Sequence, residues 1–187
     1  MSAFELVFSL FGLMLGLAIA EVLGGFGRAV KARARLRIGW LTPLLGLLVM
    51  LDLISFWTTA WSLRNVVPFN PLTLMLLLVF TGIYYLAANL VFPEDPDRCR
   101  DFDDHYWANK KLVLGAVFLL NLPNYVSEWL ALGERLYNMT VDLVTFTAFL
   151  LLVAAAALVK GKRLNLVLLG MIIALYPLNA IAALFPA

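Results

Sequence analysis

Long apolar runs alternate with short polar gaps along almost the whole chain. Residues 65–93 and 164–187 each pass without a single charged side chain. Either is longer than the ~20 residues that cross a hydrocarbon layer of about 30 Å at a rise of about 1.5 Å per residue. Four further runs complete a set of predicted spans over 3–25, 39–62, 71–92, 112–132, 138–159 and 164–185. So little chain lies between them that no soluble domain fits. The pattern predicts an all-α, polytopic membrane helix bundle with six transmembrane helices, residues 1–187 forming one transmembrane domain. The acidic segment 93–111 is its one long connection. A mean hydropathy of +0.92 and 63% hydrophobic residues agree with that class and set the chain apart from ordinary soluble domains.

The charges then orient the bundle. Arg28, Lys31, Arg33, Arg35 and Arg37 follow the first span; Arg98, Arg100, Lys110 and Lys111 follow the third; Lys160, Lys162 and Arg163 follow the fifth. The other gaps hold only Arg64 and Arg135. Basic residues accumulate in cytoplasmic loops, so alternate gaps are expected inside and both termini on the outer, periplasmic side. The cluster Arg28–Arg37 is also an expected contact for anionic lipid, and nothing calls for a nucleic acid. The first run has no basic leader, carries Glu5 early and continues into a basic stretch, unlike a cleavable signal peptide. Cys99 is the single cysteine, so no intrachain disulfide forms.

Within the spans, small residues recur every fourth position at Gly12, Gly16, Ala20 and Gly24. Such a ladder lets a second helix approach closely in lipid, and it marks a packing seam inside the bundle or toward another subunit. Polar residues form two stripes at matching spacing: Asp52, Ser55 and Thr59 in the second span, Asn121, Asn124 and Glu128 in the fourth. Asn179 follows Pro177 in the sixth. Pro123 and Pro177 lie mid-span and should bend their helices, whereas Pro71 after Asn70 reads as a helix start. Trp40 and Trp107 fall near one boundary, Trp61 and Trp129 near the other, as in aromatic belts.

Candidate chemistry is confined to this polar set. Glu5 and Asp142 open their helices at the outer face, and Asp52 lies near mid-span. An ionisable group at that depth costs about 2.5–3.5 kcal/mol on insertion scales and normally faces a bundle interior or a wet cavity. The expected polar path comprises Asp52, Ser55, Thr59, Asn121, Asn124, Glu128, Glu5, Asp142 and Asn179, with Asp52 as the group able to carry a proton or meet a cation. No cofactor and no metal ion is expected. His105 is the single histidine and sits in a connection, so two-histidine haem ligation is absent from the spans. No histidine stands in a span to activate Ser9, Ser55 or Ser127 as a nucleophile. The acidic connection, with Asp97, Asp101, Asp103, Asp104 and His105, matches no defined cation-loop spacing and is expected to be solvated and partly paired with Arg98, Arg100, Lys110 and Lys111. An enzyme is therefore not the expected class.

The opening hairpin, with Phe4-Glu5, the string Leu15-Gly-Leu-Ala-Ile-Ala-Glu21, a basic turn, Trp40 and Phe56-Trp57, resembles a group of uncharacterised bacterial six-helix integral membrane proteins over residues 4–62. The resemblance implies a bacterial inner-membrane setting and transfers no functional residue. Two readings follow from the residues. One is a small channel or transporter for protons, cations or a small solute, resting on the acidic stripes and prolines. The other is a non-catalytic accessory or scaffold subunit of a larger inner-membrane complex, docked through the small-residue ladder to a partner subunit or a second copy.

Overall fold

A computed structural model describes residues 3–62, 70–96, 101–131, 138–182 and 184; the side chains at 3–7, 127–131, 138–142 and 182 lie outside the described set. The described residues form six helices: α1 (Ala3–Ala32), α2 (Leu41–Ser62), α3 (Pro71–Val91), α4 (Phe102–Ala131), α5 (Asn138–Leu158) and α6 (Lys162–Ala182). Among the described residues there is no strand, only an isolated bridge between Arg37 and Asp101. Among the described residues four helices are long and apolar enough to cross a membrane: the Phe8–Ala32 stretch of α1, all of α2 and α3, and Lys162–Ile181 of α6. The described apolar stretch of α5, Leu143–Leu158, is shorter.

Local chemistry explains the ends. Asn70 caps α3 by accepting a 2.9 Å hydrogen bond from the Thr73 amide, and Pro71 follows at the first helical position, where its missing N–H costs nothing. Two helices outrun their apolar cores. The basic stretch at 28–31 continues α1 to Ala32, with Lys31 in the last turn where a cation complements the helix dipole. Residues 102–111, assigned from sequence to the acidic connection, instead form the start of α4, with Asp103 and Asp104 in its first turn where acidic groups are favoured.

Three connections meet at one end of the bundle. Arg37, after α1, bridges to Asp101, before α4. Asp103 is buried rather than solvated: its carboxylate accepts from the Leu41 amide at 3.3 Å, capping α2 from a different helix, and pairs with Lys162 at the start of α6. Gly39 is obligatory here, because an added Cβ would collide with the Asp103 carboxylate. Thr42 adds a 2.6 Å hydrogen bond to the Phe102 carbonyl. Lys110 also turns inward, only 3% exposed, and donates to the carbonyls of Ala156 and Val159 at the end of α5 and to Asn165 Oδ1. Asn165 in turn accepts from the Tyr106 hydroxyl at 2.7 Å, and the Lys110 ammonium lies 4.5 Å from the Trp107 ring centre. Burial, with Lys111 beside it, pushes the Lys110 ammonium below its ordinary value. The expected pairing of Lys110 with a neighbouring carboxylate is thus replaced by carbonyl ligation, since the orphan carbonyls at the end of α5 need donors more than an exposed carboxylate does.

The helices pack as a ring, α1 against α3, then α4, α5, α6 and α2, with α2 also reaching α1, α3 and α4. α1 buries Phe11, Leu15, Ala18, Val22 and Ala29 along one stripe. Phe92, just past α3, wedges between α1 and α2: a Cβ on Gly25 would collide with its ring, and one on Gly46 would stand 2.8 Å from it. Of the small-residue ladder, Gly12 is in close contact, where a Cβ would stand 2.6 Å from Trp57. Gly16, Ala20 and Gly24 face outward, with no other helix against Gly16.

Replacing Asp103 strips the buried Leu41 amide of its acceptor. Asp103→Ala should lower stability by about 1–3 kcal/mol, read by thermal unfolding of the purified protein in detergent. Lys162→Met should change it far less, because that partner is exposed.

Candidate functional site

Asp52 stands near the middle of α2 and is 1% exposed. Three helices converge on it. Its Oδ2 accepts from the Tyr84 hydroxyl of α3 at 2.9 Å. Its Oδ1 accepts from the Asn121 amide of α4 at 3.0 Å and from the Tyr176 hydroxyl of α6 at 2.9 Å. Among the described residues no Lys or Arg pairs with it. The carboxyl is thus hydrogen-bonded on both oxygens but meets no positive charge. Asn121 uses its second amide hydrogen on the Val117 carbonyl at 2.9 Å, which fixes the ring of partners to the α4 backbone. The side nearest the basic connections is closed by Leu48, Val49, Leu114 and Val117, all fully buried.

Toward the opposite end the packing opens. A cleft of about 550 Å³ lies among α2, α4, α5 and α6 and is mostly apolar, with Leu51, Ile54, Phe146, Phe149 and Ile173 on its walls. Asn121 and Tyr176 form its floor, directly over Asp52, while Ser55, Thr58, Thr145 and Asn179 add polar points along it. Phe149 meets the Tyr176 ring edge-on at 5.9 Å between centres. Pro177 lies inside α6 on the same wall, and its missing N–H leaves the Ile173 carbonyl without its usual donor.

The sequence-derived path is therefore only partly gathered into one place. Asp52 and Asn121 are joined directly, and Ser55 and Asn179 line the cleft. Thr59 and Asn124 are half-buried one turn on and do not line it; Thr58 takes the wall position instead. Glu5, Glu128 and Asp142 have side chains outside the described residues. Tyr84 and Tyr176 are the partners that the polar stripes missed. Their signal was present in the sequence, since a tyrosine in mid-span has a hydroxyl that must find an acceptor once buried.

No family model, curated protein or solved structure matches this chain.

Coupling between Asp52 and each tyrosine is directly measurable. A double-mutant cycle combining Asp52→Asn with Tyr84→Phe should return about 0.6–1.7 kcal/mol, the range found for hydrogen bonds between membrane helices. The same cycle with Thr81→Val should return none, because the Thr81 hydroxyl bonds only its own helix, at the Leu77 and Leu78 carbonyls.

Proposed function

We propose that this chain is a six-span protein of a bacterial inner membrane that carries a proton, a cation or a small solute, with Asp52 as its working group. The spread of charge supports the placement. The basic connections gather at one end of the bundle through Arg37–Asp101, Asp103–Lys162 and Lys110–Val159, and the positive-inside rule puts that end in the cytoplasm and both termini outside. Arg28, which also pairs with Glu21 at 2.8 Å, then lies with Lys31, Arg33, Arg35 and Arg37 at the level of anionic headgroups, a natural contact for such lipids.

One observation carries the functional reading: a carboxyl at mid-membrane depth, with no basic partner among the described residues, stands directly behind Asn121 and Tyr176, the floor of a cleft on its outer side. A group so costly to insert is normally retained for a task. Tyr84, Asn121 and Tyr176 hold it in place whether or not it bears a charge, since hydroxyls can turn and the Asn121 amide is fixed by Val117. The closed packing below Asp52 favours a carrier that must rearrange over a pore that stands open.

A second reading has its own support. Gly16, Ala20 and Gly24 form an outward strip that no helix among the described residues covers. In lipid such a strip accepts another transmembrane helix, from a second copy or from a partner in a complex to which this chain is an accessory subunit.

The deciding experiment is flux in proteoliposomes. Wild-type protein should move protons or small cations down an imposed gradient; Asp52→Asn should abolish the movement while the protein stays folded, and Asp52→Glu should restore part of it. Silence from well-folded wild-type protein would turn the assignment to the accessory-subunit reading.

A further inference from the structure

The cleft itself is selective in a way that the polar stripes alone do not convey. Its floor, at Asn121 and Tyr176, offers acceptors, while Asn179 farther along the wall also brings amide donors. Tyr176 gives its proton to Asp52 and Asn121 gives both amide hydrogens to Asp52 and Val117, so each has only lone pairs left to offer a ligand. The Ile173 carbonyl, freed by Pro177, is a further acceptor on this wall. Among the described residues Ser55 makes no hydrogen bond through its own hydroxyl, which is therefore able to accept as well as donate, whereas Thr58, Ser62, Thr81 and Thr147 return theirs to the backbone of their own helices. Behind this floor stands the Asp52 carboxyl with no basic partner among the described residues. Above it rise Phe146, Phe149 and Ile54.

The geometry points to the cleft as a binding site for a monocationic organic amine with an apolar, aromatic body, its ammonium seated against Asn121, Tyr176 and Ser55. Charge and shape both argue for this occupant. An ammonium brings donors alone, which the acceptor floor can meet, and its charge offsets that of Asp52 in a low-dielectric setting. An alcohol satisfies the acceptors but leaves the charge unmet, and a carboxylate opposes it. The aromatic walls accept both the body of the ligand and, at Tyr176 and Phe149, the face of a cation. A cleft of this volume falls in the ordinary range for a small-molecule site lined mainly by apolar side chains with a few placed polar groups. The inference rests on Asp52 being the working group, and it names the class of cation that group receives.

The test is equilibrium binding to the full chain in lipid nanodiscs, with protein-free nanodiscs subtracted, using three biphenylbutyl compounds that differ only in an amine, alcohol or carboxylate end. The amine should bind at least about tenfold more tightly than the other two, a difference of about 1.4 kcal/mol. Asp52→Asn should remove that preference. Ile54→Trp narrows the cleft from a half-exposed wall position and replaces none of the Asp52 partners, so it keeps the test decisive should Asp52→Asn misfold; it should weaken amine binding by a similar factor. Equal binding of all three compounds, or amine binding unchanged in Ile54→Trp, overturns the inference. Selective amine binding without any flux would leave this site standing while the carrier reading falls. Proton flux that depends on Asp52, with no amine preference, would do the reverse.

Discussion

The structure hangs on the way four helices satisfy one buried carboxyl. Asp52 on α2 takes hydrogen bonds from α3, α4 and α6, and α2 is also the helix that touches most of the others. In the lipid setting proposed above there is no hydrophobic force to bring helices together, so such polar contacts and close packing would decide which faces meet. Each partner also depends on Asp52 in return, because Tyr84 and Tyr176 would otherwise bury hydroxyls without acceptors. The same arrangement that organises the bundle leaves the carboxyl without a counter-charge among the described residues and next to a cleft. Architecture and candidate chemistry thus share one residue.

A second set of polar contacts works at the end where the basic connections gather. Asp103 caps α2 from α4, and Lys110 supplies donors to the last carbonyls of α5. These solve a common problem of short connections, in which helix ends carry unpaired backbone groups that water would otherwise meet. They tie α2, α4, α5 and α6 at one end, and the cleft lies toward the other. Phe92, seated against Gly25 and Gly46, locks α1 and α3 onto the same rigid end.

What could be read from the sequence was local or periodic. The apolar runs located all six helices, and Asn70-Pro71 marked the start of α3 because a cap and its proline are set by neighbours in sequence. Asp52 and Asn121 stood out because polar groups are conspicuous in apolar runs. The start of α4 at Phe102 was hidden, since Asp103 and Asp104 suit a helix N-terminus as well as a loop. The partners Tyr84 and Tyr176 were masked by their own aromatic bulk, which blends into an apolar run. Gly25 and Gly46 stand outside the regular ladder at Gly12–Gly24, so spacing alone does not mark them. Which glycine is approached depends on where Phe92 lands, and that is decided by tertiary packing rather than by spacing.

The claim that Asp52 is both the hub of the bundle and the group that meets the ligand is tested most directly by infrared difference spectroscopy on protein carrying ¹³C-labelled aspartate. Spectra would be recorded with and without the biphenylbutyl amine. The account predicts a change in a labelled carboxyl band together with the tyrosine modes of its partners, both lost in Asp52→Asn. A spectrum indifferent to the amine, or a carboxyl change that persists in Asp52→Asn, would contradict it.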